Sequence, residues 1–229
     1  MTDNSDALRK AANTMRAVRE QCPWSQQITH RDLVPYLIEE SHEVIDAVEA
    51  GTRADLREEL GDLLWQVLFH SAIAAQDPND PFDIDDVAQT LTEKMVRRHP
   101  HVFADAVANT PEEVLVHWNA AKAAEKRERK SVLDGVPRGM PALALAQKIV
   151  SRAAGVGVVT EIAFPEPVKP SFPEPVEGSK TFAPASEAEL GDALLALVAE
   201  ARAHGWDAER ALRERVRELE DEVRAEEAR

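Results

Sequence analysis

Glu39, Glu40 and Glu43 crowd one stretch of a chain whose apolar residues Leu33, Leu37, Val44 and Ala47 recur at helical spacing. Glu40 falls on the apolar row itself, where a helix built only for packing would carry another hydrophobe. A charged group there needs a partner. After 15 intervening residues come Glu59 and Asp62, three apart on a face that also carries Leu56, Leu60, Leu63 and Val67. Converging like charges repel and resist desolvation, and the usual remedy is a hard cation bound through oxygens. Two or more Mg²⁺ or Mn²⁺ ions so held can bridge a polyphosphate, offset its charge and orient or acidify a water for attack. These residues alone do not choose between the alpha and gamma phosphorus, and the same pattern also fits an acidic, solvated helix pair.

Two helices must position this set. Thr29 is the expected start of the first, with Pro35 early enough to be tolerated. Gly51 makes a break, and Thr52 with Asp55 at the capping-box position opens the second. So short a connection makes the two antiparallel neighbours, and the acidic sets can then meet across one groove. Ahead of them, Ser5 to Glu20 reads as a helix with a stripe of Leu8, Ala11, Ala12, Met15 and Val18, closed by Cys22-Pro23-Trp24, in which Trp24 reads as core in preference to a platform for a base. Behind them, a helix capped near Asp83 ends in Lys94, Arg97, Arg98 and His99. That basic cluster reads equally as dipole compensation or as a grip on substrate phosphate. Thr110, Pro111 and Glu113 start another helix, where Asn119 and Lys122 follow Trp118 at positions that could reach a nucleotide. The charge-rich run from Lys122 to Lys130 reads as a solvated face.

The composition of the 229 residues fits a helical protein, with 44% hydrophobic, 30% charged and only 5% aromatic side chains. A net charge of -15 argues against nonspecific nucleic-acid binding. The single cysteine, Cys22, excludes an intrachain disulfide and a thiolate zinc cluster. No apolar leader or membrane-length apolar run is present, so the expected location is the cytoplasm. Gly135 to Gly139 lacks the lysine and hydroxyl residue of a phosphate-cradling loop. Pro141 to Ala154 is a helical candidate, and residues 155–186, with six of the 14 prolines, read as an extended linker or insert. Helix returns at Glu187 to His204 and from Asp207 to Glu227. Glu189-Leu190-Gly191-Asp192 echoes Glu59-Leu60-Gly61-Asp62 without its Glu-Glu-x-x-Glu partner. The charge density of the last helix would suit a coiled-coil arm, but Leu212, Val216, Leu219 and Val223 fit an amphipathic face expected to pack on its neighbour.

Glu39-Glu40-x-x-Glu43 with Glu59-x-x-Asp62, Cys22-Pro23-Trp24 before them, and Arg97-Arg98-His99-Pro100-His101-Val102-Phe103 and Trp118 with Lys122 after them, together resemble the MazG family of nucleoside triphosphate pyrophosphohydrolases. The resemblance implies an all-α antiparallel helical bundle of the all-α NTP pyrophosphatase type, dimeric, that hydrolyses NTPs or dNTPs to monophosphate and pyrophosphate with Mg²⁺, Mn²⁺ being a possible substitute. It implies metal binding and catalysis by Glu39, Glu40, Glu43, Glu59 and Asp62. It also implies phosphate or nucleotide contacts from Lys94, Arg97, Arg98, Asn119 and Lys122. The domain organisation it suggests is a catalytic domain over 1–154, the proline-rich segment 155–186, and a degenerate second copy over 187–229. That truncation motivates two rival readings: a catalytically weakened nucleotide-binding or regulatory dimer, and a purely structural helical protein.

Overall fold

The structure is a computed structural model, and it describes residues 5–125, 130–158 and 184–228. Every regular element among them is an α-helix. The chain divides into two compact units, Met1–Glu125 and Lys126–Arg229.

In the first unit α1 (Ser5–Gln21) and the short α2 (Pro23–Gln27) lead to α3 (Val34–Glu49) and α4 (Arg53–Ala74). Then come α5 (Ile84–Arg98), the single turn α6 (Pro100–Phe103) and α7 (Pro111–Ala124). Helix α3 starts later than the sequence suggests. Thr29 instead closes a separate turn, its amide and hydroxyl both donating to the Asp32 carboxylate at 2.9 and 2.7 Å. The central element is α4, which packs against α3, α1 and α5. Its apolar residues are spread around its circumference, as burial on several sides requires.

Met15, Leu33, Leu68 and Phe69 form the core, flanked by Leu64, Trp65, Ile73 and Ile84. The Trp65 indole N–H points at the Met15 sulfur, 3.1 Å away. Trp24 stands edge-on to Phe69 and Tyr36 but stays 46% exposed, so it caps the core and does not fill it. Buried Arg19 donates to the carbonyls of Ser25 and Ile28 and to Gln76, tying α1 to the α2 turn and to the segment just after α4.

The α3–α4 connection is tight because Gly51 has no side chain. A Cβ there would meet the Ala47 backbone, with its Cα at 2.7 Å and its carbonyl oxygen at 2.9 Å. Thr52 and Asp55 then form a reciprocal capping box that starts α4 at once. These features set two antiparallel helices side by side, with Glu40 and Glu43 facing the first turns of α4.

The second unit comprises α8 (Ala142–Ala154), α9 (Glu187–Ala203) and α10 (Ala208–Glu227). The catalytic domain expected from the sequence ends at residue 154. Helix α8, which ends there, packs against α9 and α10: Gln147 donates to the Trp206 carbonyl and accepts from the Ala208 amide. Most of the proline-rich segment, residues 159–183, lies outside the described residues. Leu212, Val216, Leu219 and Val223, expected to pack on a neighbouring helix, are exposed by 45–53%.

Candidate active site

The row Leu33, Glu40, Ala47 is the buried face of α3, and Glu40 is only 9% exposed. Beside it are Glu43, exposed, and Glu59 of α4, half-buried. One carboxylate oxygen from each of the three lies within 4.8 Å of the others. This is the one group of three or more acidic or histidine side chains with such convergence among the described residues. The adjoining hollow, about 320 Å³, is lined by Glu43, Asp46, Gly51, Asp55 and Glu59, so the group opens to solvent at the α3–α4 turn.

Burial first, and then the charges of Asp62 and Glu43, push the Glu40 carboxyl above its ordinary value. Burial and the charges of Glu43 and Asp62 raise Glu59 in the same sense. Asp62 thus acts on both groups from one turn along α4. The fully buried Gln66 turns its amide to the Glu40 carboxylate at 3.5 Å, while its own Oε1 has no partner. All the donors are carboxylate oxygens, and the raised proton affinities of Glu40 and Glu59 come from burial first and then from neighbouring negative charge, which a hard divalent cation would offset. Glu39 lies outside the convergent three. Successive helical residues are rotated by about 100°, so Glu39 and Glu40 cannot share a direction, and the face toward α4 takes Glu40 with Glu43.

The basic candidates form a separate cluster. Arg97 and Arg98 both pair with Glu125 just beyond α7, at 3.0 and 2.5 Å, and the Arg98 guanidinium lies 4.8 Å above the Trp118 ring. Hydrogen bonding by Arg98, reinforced by Arg97, lowers the Glu125 carboxyl to about 2. His99 packs edge-on to Trp118. Lys94 and Lys122 are half-buried, and Asn119 is exposed on α7. Glu125 has no signal of its own in the sequence, where it sits inside a run that reads as solvated. The stacked pair His30 and His70, Nδ1 to Nδ1 at 2.7 Å, likewise joins residues 40 apart with no local pattern to announce it.

In the second unit Glu189 is committed to the start of α9. Its carboxylate accepts from the Ala185 amide at 2.8 Å while its own amide donates to Ser186, a capping arrangement. In α4 the corresponding capping residues precede Glu59, which leaves that carboxylate free to face α3.

The MazG nucleotide pyrophosphohydrolase domain matches residues 28–103, which include all five acidic candidates. The chain is 46% identical over 218 residues to an uncharacterized 26.1 kDa protein of Streptomyces cacaoi, covering 95% of this chain and 81% of that one. It is 38% identical over 219 residues to the nucleoside triphosphate pyrophosphohydrolase of Escherichia coli, covering 90% of this chain and 81% of that one. The enzyme of the same name from Mycobacterium tuberculosis is 44% identical over 180 residues, covering 79% of this chain and 55% of its own length.

Proposed function

The chain belongs to the MazG family of nucleotide pyrophosphohydrolases, and from that premise we propose that Glu40, Glu43, Glu59 and Asp62 carry its chemistry. The protein is a hydrolase that converts nucleoside triphosphates to monophosphate and pyrophosphate. The observation that supports the site is the convergence of three carboxylates from two antiparallel helices, one of them buried where a hydrophobe would otherwise sit.

In this reading Glu40, Glu43 and Glu59 hold Mg²⁺, with Mn²⁺ as a possible substitute, and Asp62 completes the negative wall on the α4 side. The bound metal supplies charge neutralisation for the polyphosphate and a more acidic water. The chain's own residues fix the rest. Glu40 is held by the helix pair and by Gln66, so its orientation is set before substrate arrives. Glu43 and Glu59 line the solvent-open side, where the alpha phosphate enters, and a glutamate of this group aligns the attacking water. Glu39 flanks the entrance. Lys94, Asn119 and Lys122 supply contacts to phosphate or nucleotide, while Arg97 and Arg98 shape the Trp118 surface through Glu125.

We assign catalysis to Met1–Glu125 and treat Lys126–Arg229 as a second unit, since Glu189 is engaged in capping α9. The active species is a homodimer, as the family resemblance implies, working in the cytoplasm where nucleoside triphosphates are held.

Purified protein incubated with a panel of NTPs and dNTPs and Mg²⁺, with separation of products, tests the reading. Monophosphate plus pyrophosphate from wild type, lost in a folded Glu40→Gln variant, is expected. Near-normal turnover by that variant would remove Glu40 from the site.

A further inference from the structure

His30 and His70 meet at the other end of the α3–α4 pair from the carboxylates. Their rings are parallel to within 4°, with Nδ1 facing Nδ1 at 2.7 Å. A contact that short between ring nitrogens is an N–H···N hydrogen bond, so one Nδ1 carries a proton and the other is bare. His30 is exposed, whereas Nε2 of His70 is sealed from solvent and has no partner. With His70 donating its Nδ1–H, the sealed Nε2 is a bare lone pair and the Nε2–H of His30 meets water. The reverse arrangement would seal an N–H with no acceptor, the rarer kind of orphan.

This bond resists protonation. It needs one bare Nδ1, so a third proton among the four nitrogens must put an N–H on the sealed Nε2 of His70. A fourth puts N–H on both Nδ1 atoms and breaks the bond. Burial first, and then the nearness of His30, hold His70 below its ordinary 6.5. The surrounding charges are engaged elsewhere or draw the proton to His30. Arg19 of α1 is bonded to Gln76 and to the carbonyls of Ser25 and Ile28. Asp32 accepts from Thr29 and has Arg31 beside it. The first turn of α3 carries no charge, and the acids opening α5 are taken up by its capping box and by Arg9. Asp77, just after α4, is lowered by the amides of Asn79 and Asp80 and, more weakly, by His30, so it favours a proton on the exposed ring.

The pair stands close to the parts that place Glu40. The turn holding His30 ends in Leu33, which is fully buried in one cluster with Phe69, the residue before His70. Leu33 and Glu40 lie two turns apart on one face of α3, and Gln66, which turns its amide to Glu40, is one turn before His70 on α4.

We infer that the His30–His70 bond is a proton-released clip and that both rings are positioning residues for Glu40. Closed, it seats the start of α3 on α4 so that Glu40 meets Gln66 and Glu59; opened by a proton, it weakens the hold on a divalent cation. The coupling rests on the carboxylate site proposed above, and the clip itself does not.

Three measurements on the full chain test this. Long-range ¹H–¹⁵N NMR of the imidazoles should find His70 protonated at Nδ1 and bare at Nε2 at about pH 7.5. Hydrogen exchange, corrected for the intrinsic rate and referred to amides of α5, should show protection of residues 33–38 falling about tenfold by about pH 5.5, one unit below an ordinary histidine. The Mg²⁺ Kd should rise over the same interval about threefold more than in His70→Asn. That amide can donate to a neutral His30 or accept from a charged one, which keeps the clip shut. His30→Ala, at an exposed position, should show at neutral pH the protection that wild type shows in acid. A neutral-pH His70 that is charged or carries Nε2–H, protection that does not fall in acid, or an equal fall in His70→Asn would overturn the clip. Protection that falls while the Mg²⁺ Kd moves alike in wild type and His70→Asn would overturn its coupling to the site. A wild type that binds no Mg²⁺ at either pH would overturn the carboxylate site and the coupling with it, the clip being judged by exchange and NMR alone.

Discussion

Replacing Glu40 with Gln should stabilise the metal-free protein while ending its response to Mg²⁺. Glu40 is buried and faces carboxylate oxygens within 4.8 Å. At about 5 Å, two unit charges repel by about 3 kcal/mol at an effective dielectric constant near 20, and by about 0.8 kcal/mol in water. Glu43 is exposed, so the lower part of that range applies, and removing the Glu40 charge relieves about 1 kcal/mol. Gln keeps the volume and can still accept from Gln66, so little packing is lost. For a unit of this size the gain is a rise in Tm of about 4 °C. Its pH dependence has a fixed sign. The Glu40 carboxyl is raised in the folded protein, so the repulsion is present at neutral pH and fades as pH falls through that raised value. The advantage of Glu40→Gln should therefore shrink in acid. Wild type with Mg²⁺ at ten times its Kd should gain about 1.4 kcal/mol, about 5 °C, and the variant almost none. Differential scanning fluorimetry at neutral and acid pH, with and without Mg²⁺, reads all of this. A variant less stable than wild type without metal, or one that keeps the Mg²⁺ shift, would refute the reasoning.

Gln66→Met removes the amide that orients Glu40 and an orphaned acceptor together, and should cut turnover or Mg²⁺ affinity about tenfold with little change in Tm, measured by titrating activity against Mg²⁺. Glu125 lies well below its ordinary 4.5 in the folded state, so its contribution is complete above that value and is lost as pH falls toward about 2. Glu125→Gln should accordingly lower Tm at neutral pH and flatten its decline in acid, as a thermal melt series across pH would record. Gly51→Ala forces a Cβ against the Ala47 backbone and should destabilise the first unit by about 1–3 kcal/mol in urea unfolding, displacing Glu59 from Glu40 and lowering activity with it.

The parts of the site that were legible in the sequence are those coded locally. Glu40 stood out because a charge interrupted an apolar row, and Thr52 with Asp55 and Gly51 dictated a tight antiparallel turn. The convergence of Glu40 and Glu43 with Glu59 follows from those two facts. Glu39 is not separable from Glu43 in the sequence, because four residues on they lie only about 40° apart around the helix, and the packing of α3 on α4 decides which of them meets Glu59. Glu125 was hidden because its partners lie 27 and 28 residues away and an acidic residue in a charged run carries no mark of pairing. The attachment of α8 was hidden for a related reason: its apolar pattern asks for a neighbour without naming one, and the bonds from Gln147 to Trp206 and Ala208 supply the choice. In α10 the spacing was plain, but the pattern of four apolar residues is the same whether the partner helix belongs to the same chain or to another.

The most direct measurement is hydrolysis of a nucleoside triphosphate in ¹⁸O-labelled water with Mg²⁺, followed by mass spectrometry of both products from wild type and from Glu40→Gln. The account predicts one ¹⁸O in the nucleoside monophosphate, none in the pyrophosphate, and loss of both products in the folded variant. Label in the pyrophosphate, or labelled monophosphate formed at the wild-type rate by Glu40→Gln, would contradict it.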